Sequence, residues 1–103
     1  MSFKVRFSAE ARADLVRLHG FLLERATSIE DLDLAEQAVD EVELSCSVSL
    51  ARTPYIFRKA GSTLRRELVI PFGATGYVAL YQILDAENVL VLAVRHQLED
   101  DFQ

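Results

Sequence analysis

Phe3, Val5 and Phe7 alternate with Lys4 and Arg6, the two-residue period of a half-buried strand, which predicts a first strand over 3–7. Ser8 stands where an N-cap belongs. Behind it Ala11, Leu15, Leu18 and Leu22 recur at helical spacing with Arg12, Arg17 and Glu24 between them, so a helix is expected from about Ala9 to Arg25. In Thr27-Ser28-Ile29-Glu30-Asp31, Ser28 with Asp31, or Thr27 with Glu30, has the separation of a capping box and starts a second helix. Its apolar stripe is Ala35, Ala38, Val39, Val42 and Cys46, and Pro54 marks its exit. Two amphipathic helices joined by so short a connection pack as an antiparallel hairpin.

After a loop containing Gly61, the pattern returns to period two. Three strand-like runs follow, Leu64–Ile70, Tyr77–Leu84 and Val89–Arg95. The segments between them, 71–76 and 85–88, are rich in turn formers. Connections this short favour an antiparallel meander. The expected fold is α+β in the order β-α-α-β-β-β, one domain over 1–103, with the hairpin on one face of a mainly antiparallel four-stranded sheet.

The last two runs are apolar on both faces. Tyr77, Ala79, Tyr81 and Ile83 oppose Val78, Leu80 and Leu84, and Val89, Val91 and Ala93 oppose Leu90, Leu92 and Val94. Such strands belong inside a covered sheet. One helical pair covers only one face, so the other is expected to meet the chain's own tail, a second copy or a partner.

Charge refines this picture. The net charge is −5, a balance that repels nucleic acid. The acids crowd the helical half, whereas Arg52, Arg58, Lys59, Arg65 and Arg66 follow one another with no acid among them. No apolar run approaches the roughly 18 residues of a membrane span, and the first residues lack the apolar core of an export signal. With a single cysteine, Cys46, no internal disulfide forms. A soluble, cytoplasmic protein with no membrane association is the expectation.

Little in the chain has the spacing of catalytic or metal chemistry. His19 and His96 have no cysteines or carboxylates at metal-ligand spacing, so no metal and no cofactor are expected. His19 reads as a partly exposed helix residue and Cys46 as a small core filler. Arg66 shares its strand face with Leu64, Leu68 and Ile70, whereas Arg65 and Glu67 point the other way. A guanidinium among apolar neighbours needs an anion or a set of carbonyls. Pairing within the chain, to a carboxylate such as Glu99, and waiting for a partner's carboxylate or phosphate fit equally well. At the end of the last strand, Arg95 and His96 offer a guanidinium beside an imidazole, a combination suited to general acid–base cleavage of a phosphodiester. A strand-end histidine bonded to the tail is the plainer reading.

Several motifs, taken in order, are similar to those of one family. Phe7-Ser8-Ala9-Glu10-Ala11-Arg12-Ala13-Asp14-Leu15, Leu64-Arg65-Arg66-Glu67-Leu68, Gly76-Tyr77-Val78-Ala79-Leu80-Tyr81 and Val94-Arg95-His96-Gln97-Leu98-Glu99, on a strand, helix pair and meander, resemble the RelE/ParE superfamily of toxins from type II toxin–antitoxin systems. The Arg-His-Gln-x-Glu tail looks like the ParE branch. That resemblance implies a non-enzymatic toxin that binds DNA gyrase, arrests growth, and is neutralised by a ParD-like antitoxin in a hetero-oligomeric complex. The RelE branch implies a ribosome-dependent mRNA endoribonuclease, for which Arg65, Arg66, Arg95 and His96 would form the centre. This chain has no tyrosine after His96, few lysines and an acidic tail. A net charge of −5 is poorly placed to gain affinity from ribosomal phosphates. The gyrase reading is therefore the primary expectation, with Arg58, Arg65, Arg66, Arg95, His96, Glu99 and Phe102 as partner-binding residues. A non-toxic interaction module is the third alternative.

Overall fold

The computed structural model describes residues 2–60, 62–73 and 75–97. Its elements are β1 (Lys4–Phe7), α1 (Ala9–Arg25), α2 (Ile29–Arg52), β2 (Arg58–Ala60), β3 (Ser62–Phe72), β4 (Thr75–Ile83) and β5 (Asn88–His96). The helices begin where their caps predict. Ser8 Oγ accepts from Ala11 N at 3.0 Å and Ser28 Oγ from Asp31 N at 3.1 Å. Asp31 reaches back to accept from the backbone N–H and hydroxyl of Thr27, so the first turn of α2 is tied to the short connection before it.

The sheet order is β1-β5-β4-β3-β2, with β1 parallel to β5 and every other pair antiparallel. It has five strands where four are expected. The addition, β2, is three residues long, and Arg58-Lys59-Ala60 carries no apolar alternation by which period-two reading finds a strand. It is held as an edge by pairing Arg58 with Glu67 and Lys59 with Arg66 of β3. The β3–β4 turn is also tighter than its composition implies. The strands pair as far as Phe72 with Thr75, and Gly73 turns the chain at φ 60°, a conformation that glycine adopts without a Cβ penalty.

Both helices lie on one face. Leu15 and Leu18 of α1 and Ala38, Val42, Cys46 and Leu50 of α2 pack in one core with Leu68, Ile70, Tyr77, Ala79, Tyr81, Val89, Val91 and Val94 of the sheet. In β5 the expected faces are corrected. Leu80 pairs with Ala93 but Tyr81 pairs with Val91, so Leu92 is an extra residue in a β-bulge. Beyond it the alternation reverses, which brings Val94 into the core and turns Ala93 outward. Alternation alone cannot register a bulge.

The bulge is supported from α1. β1 ends at Phe7, level with Val91, and leaves the rest of the β5 edge without a strand. Side chains of the α1 start take over: Ser8 Oγ donates to the Leu92 carbonyl at 3.1 Å, Asp14 accepts from Val94 N at 2.8 Å, and Arg17 donates to the Val94 carbonyl at 3.2 Å. Backbone groups that would otherwise be unpaired are satisfied. Among the described residues, no helix is long and apolar enough to cross a membrane.

Candidate functional site

Alternation of side chains splits each basic pair of the sequence. Arg65 is level with Gln82 and Arg66 with Tyr81, while Arg95 is level with Val78 and His96 with Tyr77. Tyr77 and Tyr81 belong to the core under the helices, so Arg66 and His96 stand on the helix-covered face. Arg65 and Arg95 stand on the bare face. The two registers are four residues apart on β4, about 13 Å along the strands, and β3 and β5 are two spacings apart, about 10 Å. Arg65, Arg66, Arg95 and His96 therefore do not converge on one reacting atom.

Each member has its own surroundings. Arg66 is half-buried, and its Nη1 donates to the carbonyl of Phe57 at 2.8 Å, an acceptor in the loop between α2 and β2. Of the two roles left open by sequence, an intrachain one is thus filled in part, by a carbonyl. Glu99 and Phe102 lie outside the described residues. Next to Arg66, the Tyr81 hydroxyl donates to the Pro54 carbonyl. Burial pushes that phenol up to about 12, a shift that the Arg66 charge opposes. Tyr81 stays a hydrogen-bond donor at neutral pH and ties the exit of α2 to the sheet. Arg58 pairs with Glu67 through Nε and Oε1 at 2.8 Å, on the bare face beside exposed Arg65.

His96 sits at the opposite end of the covered face. Its Nε2 is 3.1 Å from Thr75 Oγ1, and the Tyr77 ring meets it edge-on with centroids 5.3 Å apart. Burial raises the Tyr77 phenol above its ordinary value. A cavity of about 290 Å³ opens here, bounded by the elbow of the hairpin at Arg25, Ala26 and Asp31 and by Phe72, Thr75 and His96. Close behind, a Cβ on Gly76 would stand 2.6 Å from the Ile70 carbonyl oxygen and 3.0 Å from Gln97 Oε1. Glycine at this position leaves room for the Ile70 carbonyl and the Gln97 side chain, and Gln97 N donates to the Gly76 carbonyl at 2.8 Å, continuing the β4–β5 ladder past His96.

The face away from the helices holds exposed Val69 and Arg65, half-buried Leu80, Leu90, Leu92 and Arg95, and Val78, which is buried. The helices too leave large apolar side chains in solvent, including Val16 and Ile29 at 75% exposure. A groove of about 550 Å³ between α1 and α2 has Arg12, Val16 and His19 on one wall and Glu36, Asp40 and Glu43 on the other. His19 is half-buried there, with Nε2 unpartnered. Cys46 lies in the core, its thiol pushed up to about 12 by burial and by the Glu43 charge, so it is no nucleophile at neutral pH. Among the described residues, no group of three or more His, Cys, Asp or Glu side chains is arranged to hold a metal ion. Sequence reasoning gives Asp14, Arg17, Tyr55 and Leu64 no site role, because what they touch is set by parts of the chain distant in sequence.

Comparison with known proteins brings these features together. Residues 5–101 match the family model described as the ParE toxin of type II toxin–antitoxin system, parDE. The chain is 36% identical over 95 residues to Toxin RelE3 of Caulobacter vibrioides, covering 92% of this chain and 95% of the relative. It is also 36% identical over 101 residues to Toxin RelE1 of the same organism, covering 96% and 98%. A solved structure described as the chromosomal ParDE TA system from P. aeruginosa superimposes with a TM-score of 0.69 at 14% identity, over 92% of this chain and 96% of that one; at that identity it speaks for the fold. The family model carries one branch name and the relatives the other. With two helices on one face of a mixed five-stranded sheet and a match over nearly its whole length, the chain belongs to the ParE toxin family of type II toxin–antitoxin systems.

Proposed function

We propose that this toxin arrests growth by binding DNA gyrase in the cytoplasm, without chemistry of its own, and that a cognate ParD-like antitoxin neutralises it in a hetero-oligomeric complex. The observation that carries the reading is the dispersal of the basic residues. A nuclease needs its acid, base and charge stabilisers within hydrogen-bond reach of one phosphate, whereas Arg65, Arg66, Arg95 and His96 are divided between two faces and two ends of the sheet. The net charge of −5 adds to it, since ribosome binding draws on phosphate contacts. On the face away from the helices, exposed Val69 and half-buried Leu80, Leu90 and Leu92 offer partly accessible apolar surface to a protein partner, with Arg58, Arg65 and Arg95 around them. An extended antitoxin segment can add to an open sheet edge or cover that face.

Purified toxin should inhibit supercoiling by gyrase or trap cleaved DNA. No effect at micromolar excess would sink the reading. The specific observation in favour of a ribosome-dependent mRNA endoribonuclease is His96 beside Thr75 and Tyr77 in an open cavity. That reading requires cut mRNA on translating ribosomes and loss of cutting in His96→Ala. A non-toxic interaction module requires that expression without antitoxin leave growth unchanged.

A further inference from the structure

Tyr55, Leu64, Arg66, Ile83, Asp85 and Ala86 enclose a cavity of about 350 Å³ at the end of the covered face remote from His96. Its walls are largely apolar. Two of them are large side chains left in solvent, Tyr55 at 56% exposure and Leu64 at 64%. The Tyr55 ring meets Phe3 edge-on with centroids 5.8 Å apart, which gives this wall a packing partner. Arg66 stands at the base. A guanidinium has five N–H donors, and Arg66 commits one of its nitrogens to the Phe57 carbonyl. Arg66 lines the cavity, so the donors beyond that bond are placed to meet an occupant. Asp85 is occupied elsewhere. It accepts from Glu87 N and from Asn88 Nδ2, and these bonds, with a smaller contribution from the Arg6 charge, hold its carboxyl below the usual range.

We propose that this cavity docks a peptide segment of a protein partner in which one carboxylate lies beside an apolar side chain. The carboxylate takes the fork of Arg66, and the apolar side chain lies between Tyr55 and Leu64. Charge complementarity selects the occupant: the remaining donors ask for a planar anion, and a carboxylate matches their geometry in bidentate fashion. The surroundings select a peptide over a nucleic acid. The net charge of −5 and Asp85 at the cavity oppose the many charges of a polyanion far more than one carboxylate, and tyrosine and arginine are enriched in protein-binding hot spots, with Leu64 and Ile83 as the apolar wall. The proposal rests on the reading of the chain as a binding toxin for the partner's identity, but not for the chemistry of the cavity.

Selection of short random peptides on the immobilised full chain tests it, followed by calorimetric titration of the best synthetic peptide. Enriched sequences should place Asp or Glu next to Leu, Ile, Val or Phe. Changing that acid to its amide, or the protein by Leu64→Ser, Tyr55→Ala or Arg66→Lys, should each weaken binding by roughly tenfold or more. Leu64 and Tyr55 are exposed, so these two variants should unfold at the wild-type temperature even where Arg66→Lys does not. Selection of sequences without an acid, equal binding of the amide peptide, or binding unmoved by Leu64→Ser and Tyr55→Ala overturns the proposal. So does a single-stranded oligonucleotide that competes for the cavity more tightly than the peptide. Gyrase is absent from this experiment, so a functioning cavity on a chain that leaves supercoiling untouched overturns only the gyrase reading.

Discussion

Arg66 and Arg65 are neighbours in sequence and opposites in the fold. Arg66 is half-buried under the end of α2, bonded to a loop carbonyl and aimed into a cavity, while Arg65 stands in solvent on the bare face. Arg95 and His96 repeat the division at the other end of the sheet. The difference teaches that a run of like residues on a strand is two half-sites, one per face. Only Arg65 stands in solvent; Arg95 and His96 are both half-buried, on opposite faces.

The comparison can be broken by substitution. Asp14→Ala should have the largest effect, about 1–3 kcal/mol of lost stability, because it strips the acceptor from Val94 N at the bulge. Chemical denaturation measures it, and a loss no greater than that of an exposed helix acid would show that the bulge does not depend on α1. Arg66→Ala comes next, at roughly 1.5 kcal/mol, the low end for a hydrogen bond to a charged group because the side chain is only half-buried. Arg65→Ala, by contrast, should stay within about 0.5 kcal/mol of wild type. Equal losses at the two positions would erase the distinction between faces. Tyr81→Phe should cost about 1 kcal/mol by leaving the Pro54 carbonyl without its donor.

The smallest effect concerns pH. Hydrogen bonds from the Thr27 backbone and hydroxyl, and from Ser28, hold the Asp31 carboxyl below its ordinary 3.8. The folded-state value is the lower one, so the stabilisation is complete above the unfolded value and disappears as pH falls through the folded one. Thermal unfolding should therefore separate wild type from Asp31→Asn at neutral pH and bring them together in acid. A gap that persists or widens in acid would contradict that linkage.

Much of this arrangement is legible in the sequence. Ser8 and Ser28 announce the helix starts, and the stripes through Leu18 and Val42 face the core, because caps and 3.6-residue periodicity are local signals. The opposition of Arg65 and Arg66 follows from period two alone. What escapes local reading depends on contacts distant in the chain. β2 exists through its pairing with β3, and the reversal at Val94 is supported by Asp14 and Arg17, some 80 residues earlier. Arg66 was recognisable as needing acceptors, but the identity of its acceptor, the Phe57 carbonyl, required the fold. The cavity at Tyr55 and Leu64 had no signal of its own, since exposed apolar residues are ordinary until they surround a charge.

Salt dependence of binding tests the central claim, that the toxin acts through a protein surface and not on ribosome-bound RNA. Affinity of the purified chain for gyrase and for translating ribosomes should be measured side by side across ionic strength. The account predicts saturable binding to gyrase with a shallow dependence on salt, and weak ribosome binding. Preferential binding to ribosomes, with affinity falling steeply as salt rises in the manner of many phosphate contacts, would contradict it.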